Sequence, residues 1–315
     1  MTATATEPIL LAIVGPTASG KSALALFLAT EFSGEILACD STQLYRGFNI
    51  GTAKPIPADR RQVPHHLLDV LDPGEPSTAG DYRERALAVL ADLRARHRLP
   101  IFTVGTGLYL RALLEGLADL PQRSEDLRER LRASAAEHGP GHLHRMLQHL
   151  DPLAAQQIAA PDEQKLIRAI EICMLSGKPL TQVQQAGRTP LTGWRILKLG
   201  LDPPREALYQ RIHARTDSML RAGWRDEVRG LLAAGLSENA KPFDFIGYRE
   251  LRAHLRGELT LDQARELIQQ GTRQYAKRQR TWFRRESGVH WLTNFGDSPE
   301  TQSAALDLLR SHSSS

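Results

Sequence analysis

The sequence predicts an α/β fold, a parallel sheet flanked by helices with an all-helical unit inserted into the chain, and three observations carry that reading. The apolar run Ile9-Leu10-Leu11-Ala12-Ile13-Val14 leads without a gap into the loop Gly15-Pro16-Thr17-Ala18-Ser19-Gly20-Lys21-Ser22, and Ser22–Ala29 leads out of it as a helix. Strand-like and amphipathic helical stretches then alternate, as they do in a sheet wound with helices. From about Leu120 to Gly193 the strand-like runs stop and helical patterns follow one another.

The first strand is Ile9–Val14, and the loop after it is a complete G-x-x-x-x-G-K-[ST] motif. Its glycines let the backbone curl so that several N–H groups point inward, and Lys21 adds a mobile positive charge. Ser22 offers a hydroxyl to Mg²⁺ at the positive end of the helix dipole. Gly15, Pro16, Thr17, Ala18, Ser19, Gly20, Lys21 and Ser22 are therefore expected to hold a di- or triphosphate, with Ser22 as the metal ligand. The core reads as a P-loop NTPase-like parallel sheet. Further strands are expected at Glu35–Cys39, Leu67–Leu71 and Pro100–Val104, with a helix over Asp81–Arg98. The helical insertion follows as Ser124–Glu137, Gly141–Leu150, Leu153–Ala159 and Glu163–Leu175. It opens after Leu120-Pro121 and closes through the turn-rich Ser176–Pro179 and Ala186–Pro190, which read as hinges. The sheet resumes at Arg195–Leu201 and Val289–Leu292, with helices at Arg205–Ala222, Arg225–Ala234 and Leu261–Arg285, and His312–Ser315 reads as a frayed tail. The domain division is thus 1–119 for the first part of the core, 120–193 for the insertion and 194–315 for the second part.

Composition narrows the class of protein. Of 315 residues, 41% are hydrophobic and 24% charged, which suits a folded chain and argues against long disorder. No stretch approaches the roughly 18 apolar residues of a membrane span, and Met1–Pro8 lacks the basic and apolar regions of a signal peptide. The expected location is cytoplasmic. Cys39 and Cys173 alone supply neither a disulfide framework nor a paired-cysteine zinc site, so both read as buried thiols. The net charge of +4 is mild, but its distribution is not: Arg273–Arg285 holds six basic side chains and no acid. On a helix Arg273, Lys277, Arg280 and Arg284 share one face, which suits a polyphosphate backbone or, equally, a solvated surface. Asp40 ends the second strand, where the ligand crevice of an open α/β sheet lies. A carboxylate there can hold magnesium-bound water, accept a proton or cap a helix.

Taken together, Gly15–Ser22, Asp40–Tyr45, Ile50–Pro55, Pro64–Asp69, Gly105–Tyr109, Gln164–Arg168, Ser176–Leu180, Ile246–Glu250 and Gln274–Gln279 resemble the tRNA dimethylallyltransferases. The blocks run in family order over nearly the whole chain. The resemblance implies transfer of a dimethylallyl group from dimethylallyl diphosphate to N6 of the adenine 3′ to the anticodon, with diphosphate released. It implies that the P-loop holds the donor diphosphate, with Mg²⁺, and that Asp40 takes the amino proton. Arg215 would stabilise the departing diphosphate, and Thr17 would reach the same phosphates or Asp40. The residues alone leave Arg215 the alternative of a surface pair with Glu206 or Asp217.

The resemblance also implies an anticodon stem-loop surface. It would comprise Asp40, Ser41, Thr42 and Gln43, Thr106, Arg128, the run Gln164, Lys165, Leu166, Ile167 and Arg168, the run Asp244, Phe245, Ile246, Gly247, Tyr248 and Arg249, and the basic helix at Arg273, Lys277 and Arg280. A monomer without membrane contact is expected, and Trp282 and Phe283 are expected to pack the basic helix onto the core. Two departures stand out: Val104 occupies a position where the family more often has glycine, and no cysteines are present to build the zinc module of some eukaryotic relatives. Adjacent His65 and His66 point apart on extended backbone and read as structural instead of metal-binding. The rival functions are a P-loop small-molecule kinase, a prenyltransferase acting on free adenine nucleotides, and a non-catalytic RNA-binding module. Only the first two use the P-loop, and neither needs the basic helix.

Overall fold

The computed structural model describes residues 7–118, 120–185 and 187–313. β1 (Ile9–Val14) is buried at every position, as a strand covered on both faces must be, and exits into the P-loop. It is followed by α1 (Lys21–Glu31), β2 (Glu35–Cys39), α2 (Pro57–Gln62) and β3 (His65–His66). α3 (Ala79–Ala95) starts on a capping box between Thr78 and Asp81, and β4 (Pro100–Val104) and α4 (Gly107–Glu115) follow. The helical stretch contains α5 (Glu125–His138), α6 (His142–Leu150), α7 (Pro152–Gln157), α8 (Glu163–Ser176) and α9 (Leu180–Gln185). The core resumes with β5 (Arg195–Leu201), α10 (Arg205–Arg221), α11 (Trp224–Ala233), a 3-10 turn at Lys241–Asp244 and α12 (Tyr248–Leu255). α13 (Leu261–Phe283), β6 (Val289–Leu292) and α14 (Pro299–Ser313) complete it.

The six strands form one parallel sheet in the order β3-β2-β4-β1-β5-β6. β1 lies between β4 and β5, with Ile13 opposite both Thr103 and Leu199. The P-loop therefore emerges at the centre of the sheet, at the carboxyl ends of the strands, where parallel sheets bind ligands. Leu11, Ile13, Leu24, Leu28, Leu197, Leu199 and Leu309 pack β1, β5, α1 and α14 into one core. Each such fully buried side chain contributes about 1.5–3 kcal/mol.

Residues Ala112–Leu191 form a separate unit inserted into the first, so it begins within α4, earlier than the expected 120, and ends two residues before the expected 193. Its core joins Leu127, Leu131, Leu143, Leu147, Leu166, Ile167, Ile170 and Val183. Glu171 lies fully buried inside it. Burial alone would raise its carboxyl, but hydrogen bonds from Arg168, the Ser124 amide and Arg128 hold it below the usual range.

Two expectations need correction. The third strand is His65–His66, not Leu67–Leu71, because Leu67 and Asp69 take positive φ of 62° and 56° and break the extended run. Leu71 makes only an isolated bridge with Tyr45, while Lys54 and Arg60 clamp Asp69 at 2.6 and 2.9 Å. Within the stretch expected as the second hinge, Arg188 bridges Ala118 and pairs with Glu115 at 2.8 Å, while Ala186 lies outside the described residues. His312 belongs to α14 and its ring meets that of His290, so the tail is ordered to that point; Ser314 and Ser315 lie outside the described residues, as do residues 1–6. His66 binds Glu35 at 2.6 Å and His65 the Val63 carbonyl at 2.8 Å. Both cysteines are buried free thiols. Among the described residues no helix is long and apolar enough to cross a membrane.

Candidate active site

A cavity of about 740 Å³ opens at the carboxyl ends of the strands. Its walls are Thr17, Ala18, Gly20, Lys21 and Ser22 of the P-loop, Asp40–Gln43 after β2, Gly105 after β4, Arg211 and Arg215 on α10, Asp244–Ile246, and Tyr275 and Gln279 on α13. The structure thus brings the expected phosphate cradle, the strand-end carboxylate and Arg215 to one place. Cations and a proton acceptor share its walls.

The cradle begins where β1 ends. Gly20 starts α1 at φ 93° with no side-chain cap, so the first-turn N–H groups of the helix stay available to an anion. The Lys21 ammonium folds over the loop and donates to the Gly15 carbonyl at 2.9 Å and the Pro16 carbonyl at 2.8 Å. Burial lowers its pKa to about 7; Asp40 opposes this and Arg215 adds to it. Arg215 is likewise held below the usual guanidinium range, first by burial and then by Arg211, with Asp40 pulling the other way. The alternative of a surface pair does not occur: Asp217 pairs with Arg265 at 2.8 Å, and Arg215 has no ion pair among the described residues. The Ser22 hydroxyl is exposed on the cavity wall and carries no hydrogen bond among the described residues. Ser19 is fully buried and does not line the cavity; its amide donates to the Pro16 carbonyl at 3.3 Å.

Asp40 follows β2 immediately. Its Oδ1 accepts from the Thr42 amide at 2.9 Å and the Thr42 hydroxyl at 2.7 Å, a local turn and not a helix cap. The other oxygen lies against Gly105, where a Cβ would come within 2.0 Å of it. Residue 105 must therefore be glycine by close approach alone. Gly105 and Thr106 both donate their amides to the Cys39 carbonyl at 2.9 Å, and Thr106 Oγ1 accepts from the Ser41 amide at 3.0 Å. Gln43 donates to the Thr52 carbonyl at 3.0 Å. Val104 is fully buried in β4, so the β-branched residue before this turn is accommodated by the core.

Several expected RNA-contacting side chains are committed elsewhere. Arg128 is buried and bonds Glu171 at 3.0 Å, while Leu166 and Ile167 belong to the core of the inserted unit. All three side chains are buried. Gln164 and Lys165 are exposed at the start of α8, and Arg168 is half-buried against Glu171 at 2.6 Å. Tyr248 is fully buried, its hydroxyl accepting from the Gly51 amide at 3.1 Å and donating to Glu227 at 2.6 Å. Gly247 opens α12 against the Trp224 ring, and exposed Arg249 pairs with Glu250 at 2.6 Å. Asp244, Phe245 and Ile246 do line the cavity.

The basic stripe lies on α13 and just beyond it, but it is partly spent. Arg280 and Arg284 both pair with Asp202 at 2.8 Å, and Arg273 lies 2.5 Å from the His213 ring. Lys277 and Arg285 are exposed without a partner among the described residues. Phe283 is fully buried as expected, whereas Trp282 is half-exposed, stacked under Arg111 at 4.8 Å and against Gly107.

Four participants escaped the sequence reading. Gln279 accepts from the Thr17 amide at 2.7 Å and donates to the Gly105 carbonyl at 2.8 Å. Tyr275 donates to the same carbonyl at 3.1 Å. The Gly296 amide donates to the Ser19 carbonyl at 2.9 Å, and Asp297 grips Arg211 at 2.7 and 2.6 Å, so the segment after β6 braces the P-loop.

The arrangement has known counterparts. The IPP transferase family matches residues 43–286, and a second family, isopentenyl transferase, matches residues 8–69. The chain is 51% identical to a tRNA dimethylallyltransferase of Koribacter versatilis over 96% of its own length and 99% of that protein. It is 50% identical to one of Solibacter usitatus over 95% and 97%. Among solved structures, the full-length tRNA isopentenylpyrophosphate transferase of Bacillus halodurans superposes with a TM-score of 0.70 at 35% identity, covering 97% of this chain and 96% of that one. A eukaryotic dimethylallyltransferase acting on tRNA gives a TM-score of 0.82 at 25% identity, covering 96% and 78%.

Proposed function

Because the chain belongs to the IPP transferase family, we propose that it transfers a dimethylallyl group from dimethylallyl diphosphate to N6 of the adenine 3′ to the anticodon in tRNA. It does so as a cytoplasmic monomer. The observation that carries this reading is the single cavity in which Lys21 and Arg215, suited to a diphosphate, share the walls with the carboxylate of Asp40. The adenine nitrogen attacks C1 of the donor, the C1–O bond breaks, and diphosphate leaves with the bonding pair. Lys21, the P-loop amides and Arg215 meet the charge that develops on the leaving group. The proton released from N6 passes to Asp40 Oδ2, since Oδ1 already accepts from Thr42. Thr17, at the mouth of the loop, offers its hydroxyl to the same phosphates.

A magnesium ion fits this donor set. Among the described residues no cluster of His, Cys, Asp and Glu forms a protein cage for a metal, and the exposed Ser22 hydroxyl suits a cation completed by phosphate oxygens and water. Bound there, Mg²⁺ would supply neutralising charge to the diphosphate. Incubation with labelled dimethylallyl diphosphate and unmodified tRNA, followed by nucleoside analysis, tests the reading. Labelled N6-isopentenyladenosine is expected. Label found only in free adenine nucleotides, or phosphoryl transfer from ATP instead, would overturn it.

The tRNA surface is tested apart from the chemistry. Replacing Lys277 and Arg285 by Ala should lower the salt-dependence slope of tRNA binding by roughly 0.7–0.9 per lost phosphate contact, with donor affinity unchanged. Replacing Arg284, already paired with Asp202, should lower it less. Equal slopes in wild type and the double variant would place the phosphate-binding surface elsewhere.

A further inference from the structure

Gln279 is a buried amide whose two ends are both used. Its Oε1 accepts the Thr17 amide of the P-loop at 2.7 Å and its Nε2 donates to the Gly105 carbonyl at 2.8 Å. The orientation is dictated by the partners, because a backbone N–H can only donate and a carbonyl can only accept. Thr17 belongs to the loop that holds the diphosphate. Gly105 is the residue on which Asp40 rests, with Asp40 Oδ2 only 2.0 Å from where a Cβ would stand. The side chain thus spans the two halves of the chemistry from α13, the helix that also carries exposed Lys277 and ends before Arg285. Tyr275, one turn earlier, adds a second bond to the same carbonyl at 3.1 Å.

We propose that Gln279 is a positioning residue that sets the separation between the P-loop and the Asp40 carboxylate, and so fixes where donor carbon and adenine nitrogen meet. The inference rests on the reading of the site as a prenyl transferase centre. Leu and Met fill the same volume but leave the Thr17 amide and the Gly105 carbonyl unmatched. A carboxylate matches the amide yet sets an oxygen against the carbonyl. A protonated carboxyl has the donor and acceptor pattern of the amide itself.

That last equivalence supplies a test that simple packing would not pass. The titratable groups on the same cavity wall are Asp40, Lys21, Arg211, Arg215, Asp244 and Tyr275; all are shared by wild type and variant, so the ratio of their rates isolates the new carboxyl. Gln279→Glu should be slow in single turnover at pH 8 and should recover towards the wild-type rate as pH falls to about 6, by up to tenfold per unit. Gln279→Met should lose roughly a hundredfold in single-turnover rate at every pH, as a displacement of about 1 Å costs. Its tRNA affinity should stay within about twofold and its donor KM should rise far less than kcat falls. In an Asp40→Asn background Gln279→Met should cost less than about threefold, since the group it positions is gone. A flat variant-to-wild-type ratio across pH, or the same loss with and without Asp40, would overturn the inference. The pH ratio needs no assumption about Asp40, so it decides the role of Gln279 even if Asp40→Asn turns over normally and sinks the mechanistic reading. Thermal melting of both variants separates rate loss from unfolding.

Discussion

Asp40→Asn is expected to fold, to bind tRNA and to lose turnover by roughly 10² to 10⁴, the range for removal of a positioned proton acceptor. The substitution is nearly isosteric. An amide oxygen at the Oδ1 position still accepts the Thr42 amide and hydroxyl, now held at 2.9 and 2.7 Å, so the turn after β2 survives. What changes is the second atom, an NH₂ group in place of the oxygen that faces Gly105. It can no longer take the proton that N6 must shed as the carbon–nitrogen bond forms. Donor affinity should fall only modestly, because Asp40 supports the charge of Lys21 and Arg215 but does not touch the diphosphate in the proposed arrangement. Single-turnover measurement at saturating tRNA and donor reads the loss directly. Loss of magnesium-dependent donor binding with an intact single-turnover rate would make Asp40 a ligand of the metal's water shell, and the mechanism proposed here would be wrong.

The parts of the site that could be read in the sequence are those in which chemistry constrains adjacent residues. An apolar strand, eight loop residues and an amphipathic helix lie end to end, so β1, the cradle and α1 were legible with their boundaries almost right. Asp40 was legible because a strand end is a local feature and its place in a parallel sheet follows from topology. Residues that act across the chain were not. Gln279 meets Thr17 and Gly105 at separations of 262 and 174 residues, and although Gln274–Gln279 is one of the blocks that carry the resemblance, no local pattern in it assigns Gln279 these partners. Gly296 and Asp297 brace the P-loop from a turn with no motif.

The misreadings have the same cause. Arg280 and Arg284 look like free cations until Asp202, at the end of β5, is folded against them. Arg128 looks solvent-facing until Glu171 is buried beside it, where the arginine shares that carboxylate with Arg168 and the Ser124 amide. At Leu67–Leu71 the composition is that of a strand, but the ion pairs on Asp69 and the left-handed backbone of Leu67 and Asp69 decide the geometry. Periodicity sees neither. α13 is the element in which local and distant constraints meet: its outer face keeps Lys277 exposed while Arg280 is paired with Asp202, and its inner face carries the two hydrogen-bonding side chains that line the cavity.

Lys21→Ala is expected to lower donor affinity and turnover together, by about 3 kcal/mol or roughly a hundredfold, because the charge it removes faces the diphosphate before and during departure. The pKa of Lys21 gives this loss a second signature. Burial, with Arg215 alongside, holds the ammonium at about 7 in the free protein, against 10.5 when exposed. In the unfolded chain the group binds its proton more tightly, so between these values folding releases it, and the stability of the wild type should rise as pH increases through that window. Donor binding runs the opposite way. A diphosphate beside Lys21 favours the charged form, so at pH 8.5 the wild type should take up close to one proton per donor bound. The variant should take up almost none. Calorimetric titrations in two buffers of different ionisation enthalpy measure that number without reference to catalysis. Near wild-type transfer at saturating donor, with proton uptake unchanged, would remove the P-loop from the prenyl diphosphate and leave the cradle to some other phosphate.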